Sequence, residues 1–118
     1  MTNHRVAVVQ GGSSLFDTPR TLERMEAHCE AAAREGVELA VFPEAYVGGY
    51  PKGLDFGARI GTRTAAGRDD FLRYWQSAIE VPGAQTARIG SFAAKMKAHL
   101  VVGVIERHYA NSTTQEIV

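Results

Sequence analysis

One glutamate has both the type and the position of a catalytic acid or base. Glu44 follows the apolar run 39–42 and then Pro43, so we expect it to emerge where a buried strand ends. Open α/β sheets place their ligand sites at the carboxyl ends of strands, and Pro43 restricts the backbone just before the carboxylate. Such a carboxylate can accept a proton as a general base. A solvated loop glutamate is the commoner explanation, and position alone does not decide between them.

The single cysteine, Cys29, is the residue type most suited to nucleophilic attack. Its spacing from Leu22 and Met25 places it on the apolar face of a helix. Burial raises the pKa of a thiol and keeps it unreactive, so we predict a core position for Cys29. The chain also has four histidines, His4, His28, His99 and His108. Their spacing does not fit a metal site, and we predict neither a metal nor a cofactor.

Two glycine-rich segments resemble nucleotide-binding loops only in part. Gly11 and Gly12 follow an apolar run, but the remaining glycines of the dinucleotide fingerprint are absent from this loop. Segment 48–53 has the outer glycines of a P-loop, yet Leu54 and Asp55 follow where lysine and a hydroxyl residue must bind phosphate and magnesium. We therefore interpret both segments as turns.

The elements that must position these residues follow an α/β order. Three apolar runs, 6–9, 39–42 and 100–105, are continuous rather than alternating, which is typical of strands covered on both faces. Between the first two, a helix is expected, with Thr18 as its cap, Pro19 in its first helical position and Gly36 as its stop.

Two further helices are predicted between the second and third strands. The first covers about residues 68–79, and its buried stripe is expected to consist of Phe71, Leu72, Trp75, Ala78 and Ile79. The second covers about residues 84–98 and packs through Ile89, Phe92 and Met96. The predicted order is β-α-β-α-α-β. The glycine-rich connection 45–67 is longer than most loops, and long loops are usually functional.

Composition limits the class of protein. The 118 residues include 13 basic and 13 acidic side chains, and 45% of the chain is apolar. Balanced charge does not favour binding to nucleic acid or to an anionic membrane. No run reaches the roughly 18 apolar residues of a membrane-spanning helix, and residues 1–9 do not fit a secretory signal. We expect a single globular domain in the cytoplasm, since the lone cysteine cannot form an internal disulfide.

Several segments resemble the nitrilases, members of the carbon–nitrogen hydrolase superfamily. Segment 36–51, Gly-Val-Glu-Leu-Ala-Val-Phe-Pro-Glu-Ala-Tyr-Val-Gly-Gly-Tyr-Pro, resembles their glutamate signature, and segment 5–10 resembles their opening strand. Segments 56–64 and 78–83 are similar to the nitrilase branch in particular. Ala40 departs from the larger apolar residue that is usual at its position. The resemblance covers residues 5–107.

The resemblance implies the N-terminal part of an αββα sandwich that converts an organic nitrile into a carboxylate and ammonia. In this family a cysteine thiolate forms a thioimidate and then an acyl enzyme, a glutamate acts as the general base, and a lysine stabilises the developing charge. By the motif, Glu44 is the general base. Tyr50 and Pro51 are candidate substrate-binding residues. Arg59 and Arg63 are candidates as well, although solvated loop charges explain them equally.

The resemblance does not provide the other two catalytic residues. The family's lysine and its Cys-Trp-Glu nucleophile come beyond residue 118, and neither Lys52 nor Cys29 matches their positions. We therefore expect this chain alone to be inactive. Residues 1–107 are interpreted as the N-terminal portion of the domain and residues 108–118 as a divergent polar tail that does not continue into the strand expected next from the family pattern. A truncation or frameshift near His108 would explain that tail.

Two alternatives stay open at this point. A cyanide hydratase or an amidase of the same superfamily would share the carboxylate but differ in its pocket. A non-catalytic binding or assembly fragment would instead use exposed sheet edges and an uncovered sheet face. For the intact family member the resemblance implies homo-oligomers.

Overall fold

The computed structural model describes residues 2–57, 63–111 and 114–117. The elements are β1 (Val6–Val8), α1 (Thr18–Arg34), β2 (Leu39–Val41), α2 (Ala65–Ser77), α3 (Ala84–Met96), β3 (His99–Val101), β4 (Arg107–Asn111) and β5 (Thr114–Ile117). The first six follow the predicted order, so the α/β prediction is confirmed. Within the described ranges, none of the helices combines the length and apolar character that crossing a membrane requires.

The central sheet is parallel and has the order β1-β2-β3. Ala7 pairs with Ala40, which in turn pairs with Leu100. These three residues share the sheet face that packs against the apolar core, together with Met25 of α1 and Phe92 of α3. Helices α1 and α3 contact each other, and both contribute residues to this core.

The opposite face of the sheet is open, which differs from the expectation that both faces are covered. The exposed fractions of Val6, Val8 and Val101 are 58%, 74% and 53%. Val8 and Val101 lie in register on either side of Val41, so the apolar surface runs across all three strands. The continuous apolar pattern requires two covered faces, and the αββα sandwich of the resemblance would supply the second cover.

Helix α1 begins one residue earlier than predicted. Asp17, rather than Thr18, is its cap, because the Asp17 carboxylate accepts a hydrogen bond from the Arg20 amide at 3.0 Å. The Thr18 hydroxyl is buried and donates instead to the carbonyl of Ser77, which ties α1 to the end of α2. Gly36 takes a left-handed conformation after the helix, as expected of a stop.

Helix α2 differs most from its prediction. It starts at Ala65 because the Thr64 hydroxyl caps it, accepting from the Gly67 amide at 3.0 Å. The expected buried stripe is wrong at Phe71 and Leu72, which are 46% and 50% exposed. The core-facing side carries Tyr74 and Ser77 instead.

Helices α2 and α3 both end earlier than the sequence predicts. Ala78 and Ile79 are buried as predicted, but they lie beyond α2, where Ile79 forms a parallel bridge to Glu106. Helix α3 ends at Met96 rather than residue 98, because Lys97 takes a left-handed conformation with φ of 51°. Its packing through Phe92 and Met96 is confirmed, and Ile89 is partly buried beside them.

The segment interpreted as a divergent polar tail contains most of two strands. Strands β4 and β5 pair in an antiparallel hairpin, with Arg107 opposite Ile117 and Asn111 opposite Thr114. The side chain of Arg107 contacts α2: its guanidinium lies over the Trp75 ring, 5.1 Å from the ring centroid, and donates to the Gln76 carbonyl at 3.2 Å.

Candidate active site

Glu44 lies where the sequence places it, just beyond the carboxyl end of β2. The amide of Phe42 continues the pairing with β3 by donating to the Val101 carbonyl at 2.8 Å, and Pro43 then turns the chain. The Glu44 side chain is exposed. Among the described residues it has no hydrogen-bond or ion-pair partner, so its carboxylate is available to accept a proton from a reacting group.

Two buried aromatic residues fix the chain on either side of Glu44. Phe42 is 4% exposed and Tyr46 is 1% exposed, and their ring centroids lie 5.1 Å apart. Burial raises the pKa of the Tyr46 hydroxyl above its ordinary value. The hydroxyl has no hydrogen-bond partner among the described residues. Both rings point into the core, so Glu44 is the solvent-facing residue of a turn that is anchored at both ends.

The backbone of this turn is bound to the segment after β3. Val47 and Val104 form a parallel bridge: the Val47 amide donates to the Gly103 carbonyl at 3.1 Å, and the Ile105 amide donates to the Val47 carbonyl at 2.7 Å. Ala45 has a φ of 50°, a left-handed conformation that costs a non-glycine residue roughly 1–2 kcal/mol. Because such a conformation persists only where surrounding contacts impose it, the turn is well determined.

Glycines 48 and 49 allow the chain to leave this turn. They have φ values of 108° and 89°, which side chains rarely adopt. A Cβ on Gly48 would lie 2.7 Å from the Cβ of Ile105, and one on Gly49 would lie 2.8 Å from Leu15. The glycine pair of the signature therefore serves backbone geometry and close packing, in agreement with its interpretation as a turn.

The candidate pocket residues lie further along the same loop. Tyr50 is 61% exposed, and Pro51 is partly buried. Among the described residues, neither makes a hydrogen bond to Glu44. Arg63 is exposed, and Arg59 lies outside the described residues.

Cys29 occupies the core, as predicted. Its side chain is 3% exposed in the middle of α1. Burial, together with the nearby charge of Glu26, raises the pKa of the thiol to about 11. A thiol is a nucleophile only as its thiolate, so Cys29 is not the nucleophile of a reaction at Glu44.

The histidines are dispersed over the described part of the chain. His4 bonds to Glu38 at 2.9 Å, at the amino end of β2, while His28 meets the Phe42 ring edge-on at 6.4 Å. Among the described residues, no three histidine, cysteine or acidic side chains come close enough together to hold a metal ion.

The sequence interpretation missed the contribution of Gly103. This residue interrupts the apolar run 100–105, and an isolated glycine in a strand pattern indicates a bulge or a close backbone approach. The structure shows a close approach: Gly103 lies directly against the backbone of residues 43–45.

Comparisons with known proteins agree with the architecture. A model of the carbon-nitrogen hydrolase family matches residues 5–117, which extends further than the resemblance at 5–107. The bifunctional nitrilase/nitrile hydratase NIT4B of Nicotiana tabacum is 50% identical over 103 residues, covering 87% of this chain. Nitrilase 1 of Arabidopsis thaliana is 43% identical over 106 residues, covering 90% of this chain.

The match covers only part of these relatives. The chain spans 30% of the Nicotiana protein and 31% of the Arabidopsis protein. The family model nevertheless covers almost all of the chain, and the parallel sheet carries Glu44 at its carboxyl edge. The chain belongs to the carbon-nitrogen hydrolase family.

Proposed function

We propose that this chain supplies the general base of a nitrilase, an enzyme that converts an organic nitrile into a carboxylate and ammonia. The observation that carries the proposal is the carboxylate of Glu44, exposed and without a partner among the described residues, on an anchored turn at the sheet edge. The names of the relatives support the substrate class, a small nitrile.

In this mechanism Glu44 takes the proton of a cysteine thiol, and the thiolate attacks the nitrile carbon to give a thioimidate. Glu44 passes this proton to the nitrile nitrogen and, ionised again, deprotonates a water molecule that attacks the same carbon. Both protons of that water pass to the nitrogen, which leaves as ammonia, and a second water, deprotonated in the same way, hydrolyses the resulting thioester to the carboxylate and the free thiol. General base catalysis contributes about 10²–10⁴-fold to such steps. The base must not move between them, and the anchoring of the turn meets that requirement.

The thiol and the charge-stabilising lysine are not supplied by the described residues. Cys29 is buried and protonated, and Lys52, although exposed, does not occupy the family's lysine position. We infer that both groups come from the further length that the relatives have, so the 118 residues alone should not turn over a nitrile. The resemblance further supports homo-oligomers of the intact enzyme and, together with the single buried cysteine, a cytoplasmic location.

The names of several relatives favour a second candidate product. The Nicotiana and Lupinus proteins are described as bifunctional nitrilase/nitrile hydratases. Addition of water to the thioimidate gives a tetrahedral intermediate that can expel either ammonia or the cysteine thiolate. Expulsion of ammonia leads to the carboxylate, and expulsion of the thiolate gives the amide. Glu44 serves both routes, so the alternative changes the product and not the proposed base.

A chimera tests the proposal. Residues 5–107 replace the aligned segment of the Nicotiana relative, whose own remaining sequence supplies the other catalytic groups; this protein is called the chimera below. We expect the chimera to release ammonia and form carboxylate or amide from simple nitriles, and the 118-residue chain to release none. A folded chimera without turnover would contradict the proposed function. Turnover by the 118-residue chain would contradict the inference that the nucleophile comes from elsewhere.

A further inference from the structure

The backbone of Gly103 lies so close to the Glu44 turn that there is no room for a side chain between them. A Cβ built on Gly103 would lie 2.6 Å from the Ala45 amide nitrogen, 2.7 Å from the Pro43 carbonyl oxygen and 2.8 Å from the Glu44 Cα. All three are backbone atoms, so none can rotate away as a side chain can. Even the smallest side chain at position 103 must therefore displace the turn or the segment after β3.

The turn has little freedom to absorb such a displacement without moving Glu44. Ala45 already has an unfavourable left-handed conformation. Two residues later, Val47 is hydrogen-bonded to both Gly103 and Ile105. On the other side, Phe42 is bonded to Val101 of β3 and packed in the core. Because both ends are fixed, a side chain at position 103 would displace residues 43–45, and Glu44 is the middle residue of these three.

We propose that Gly103 is a positioning residue for Glu44: by lacking a side chain it allows the turn to rest directly on the segment after β3, which sets the location of the carboxylate. Gly103 touches no substrate in this account and acts only through Glu44. The proposal rests on the proposed role of Glu44 as general base. A misplacement of about 1 Å in a catalytic group can cost about 100-fold in rate, so the contact is large enough to matter.

The test is Gly103→Ala in the chimera, with Gly90→Ala as the matched control. A Cβ on Gly90, in α3, meets nothing within 4 Å. We expect Gly103→Ala to lower kcat by about 10- to 100-fold with a much smaller change in KM, and Gly90→Ala to leave both constants at the parent values. A crystal structure of Gly103→Ala should show the Glu44 Cα displaced relative to β2. Parent kcat, or an unmoved Glu44, would overturn the proposal.

A second variant covers the case in which Gly103→Ala does not fold. Gly103→Ala combined with Ala45→Gly gives the turn a residue that adopts many conformations, so it can yield to the new Cβ. Compared with Ala45→Gly alone, the double variant should fold and still have a lower kcat. Equal kcat values for the two would overturn the proposal.

Glu44→Gln separates this proposal from the proposed function. If Glu44→Gln keeps parent turnover, the role of Glu44 is wrong, whatever Gly103→Ala does. If Glu44→Gln is inactive while Gly103→Ala keeps parent kcat and KM, the general base stands and the positioning role of Gly103 is wrong.

Discussion

The rings of Phe42 and Tyr46 pack against each other beneath Glu44, with their centroids 5.1 Å apart and their planes inclined by 55°. Pro43, Glu44 and Ala45 are therefore held between two side chains that are almost completely buried. The arrangement stabilises the core and holds the backbone of the Glu44 turn in place. Tilted aromatic pairs contribute about 0.5–1.5 kcal/mol beyond their burial.

Tyr46→Phe should leave the chimera as stable as the parent or raise its free energy of unfolding by up to about 1 kcal/mol. The Tyr46 hydroxyl is buried without a hydrogen-bond partner among the described residues, and burying an unsatisfied polar group costs free energy. Tyr46→Ala, in contrast, should lose about 3–5 kcal/mol because it leaves a cavity. Thermal unfolding of both variants measures the difference. A loss of 2 kcal/mol or more in Tyr46→Phe would show that the hydroxyl has a partner after all.

The Cys29 thiol should be protected from alkylation in the native 118-residue chain. Its pKa of about 11 leaves about 100-fold less thiolate at pH 8 than an ordinary thiol would have. Iodoacetamide should therefore label the chain at least 100-fold more slowly in buffer than in urea. Equal rates would contradict the buried position.

The same shift has a consequence for pH dependence. The pKa of the folded thiol lies above that of the unfolded thiol, so the protonated side chain favours the folded state. Its contribution is complete below the ordinary thiol range and is lost as the pH rises from that range to about 11. Thermal midpoints across this range should fall less in Cys29→Ala than in the parent chain. Parallel pH profiles would contradict the shift.

The sequence predicted the parts of the fold that depend on local pattern. Apolar runs and helix signals gave the α/β order, and the Pro43-Glu44 step after a buried run gave the correct position of the candidate base. The predicted stripe of α2 was wrong at Phe71 and Leu72 because periodicity shows which residues share a helix face but not which face meets the core. Tyr74, outside that stripe, is buried. The approach of Gly103 to Glu44 joins residues far apart in sequence, which a single sequence does not reveal.

Gly67→Ala and Gly90→Ala should change stability in opposite directions, although both replace a helical glycine. A Cβ on Gly67 would lie 2.2 Å from the Gly57 amide nitrogen and 2.3 Å from the Phe56 carbonyl, so alanine there must displace the loop and its packing on Tyr74. At Gly90 the space is open, and alanine gains up to about 1 kcal/mol from helix propensity. Thermal unfolding of the two chimera variants provides the comparison. A rise in the midpoint of Gly67→Ala would contradict the packing of the loop on α2.

Val8→Lys should be tolerated by the 118-residue chain and should prevent the chimera from folding. In the 118-residue chain the Val8 side chain is 74% exposed, so a lysine there should leave the thermal midpoint at the parent value. In the chimera that face is expected to pack against the second sheet of the sandwich, so a buried lysine should prevent folding. The control is Ala87→Lys, at an exposed position of α3, which should be tolerated in both. A stable, active Val8→Lys chimera would contradict the covered face.

The role of Glu44 is tested most directly by kcat of the chimera with Glu44→Gln, beside a control with Glu38→Gln. Both glutamates flank β2, but Glu38 lies at its amino end, where it is bonded to His4. Glutamine keeps the shape of the side chain and removes its ability to accept a proton. We expect Glu44→Gln to lower kcat by about 10²–10⁴-fold and Glu38→Gln to leave it unchanged. Retained turnover in Glu44→Gln would contradict the assignment of Glu44 as the general base.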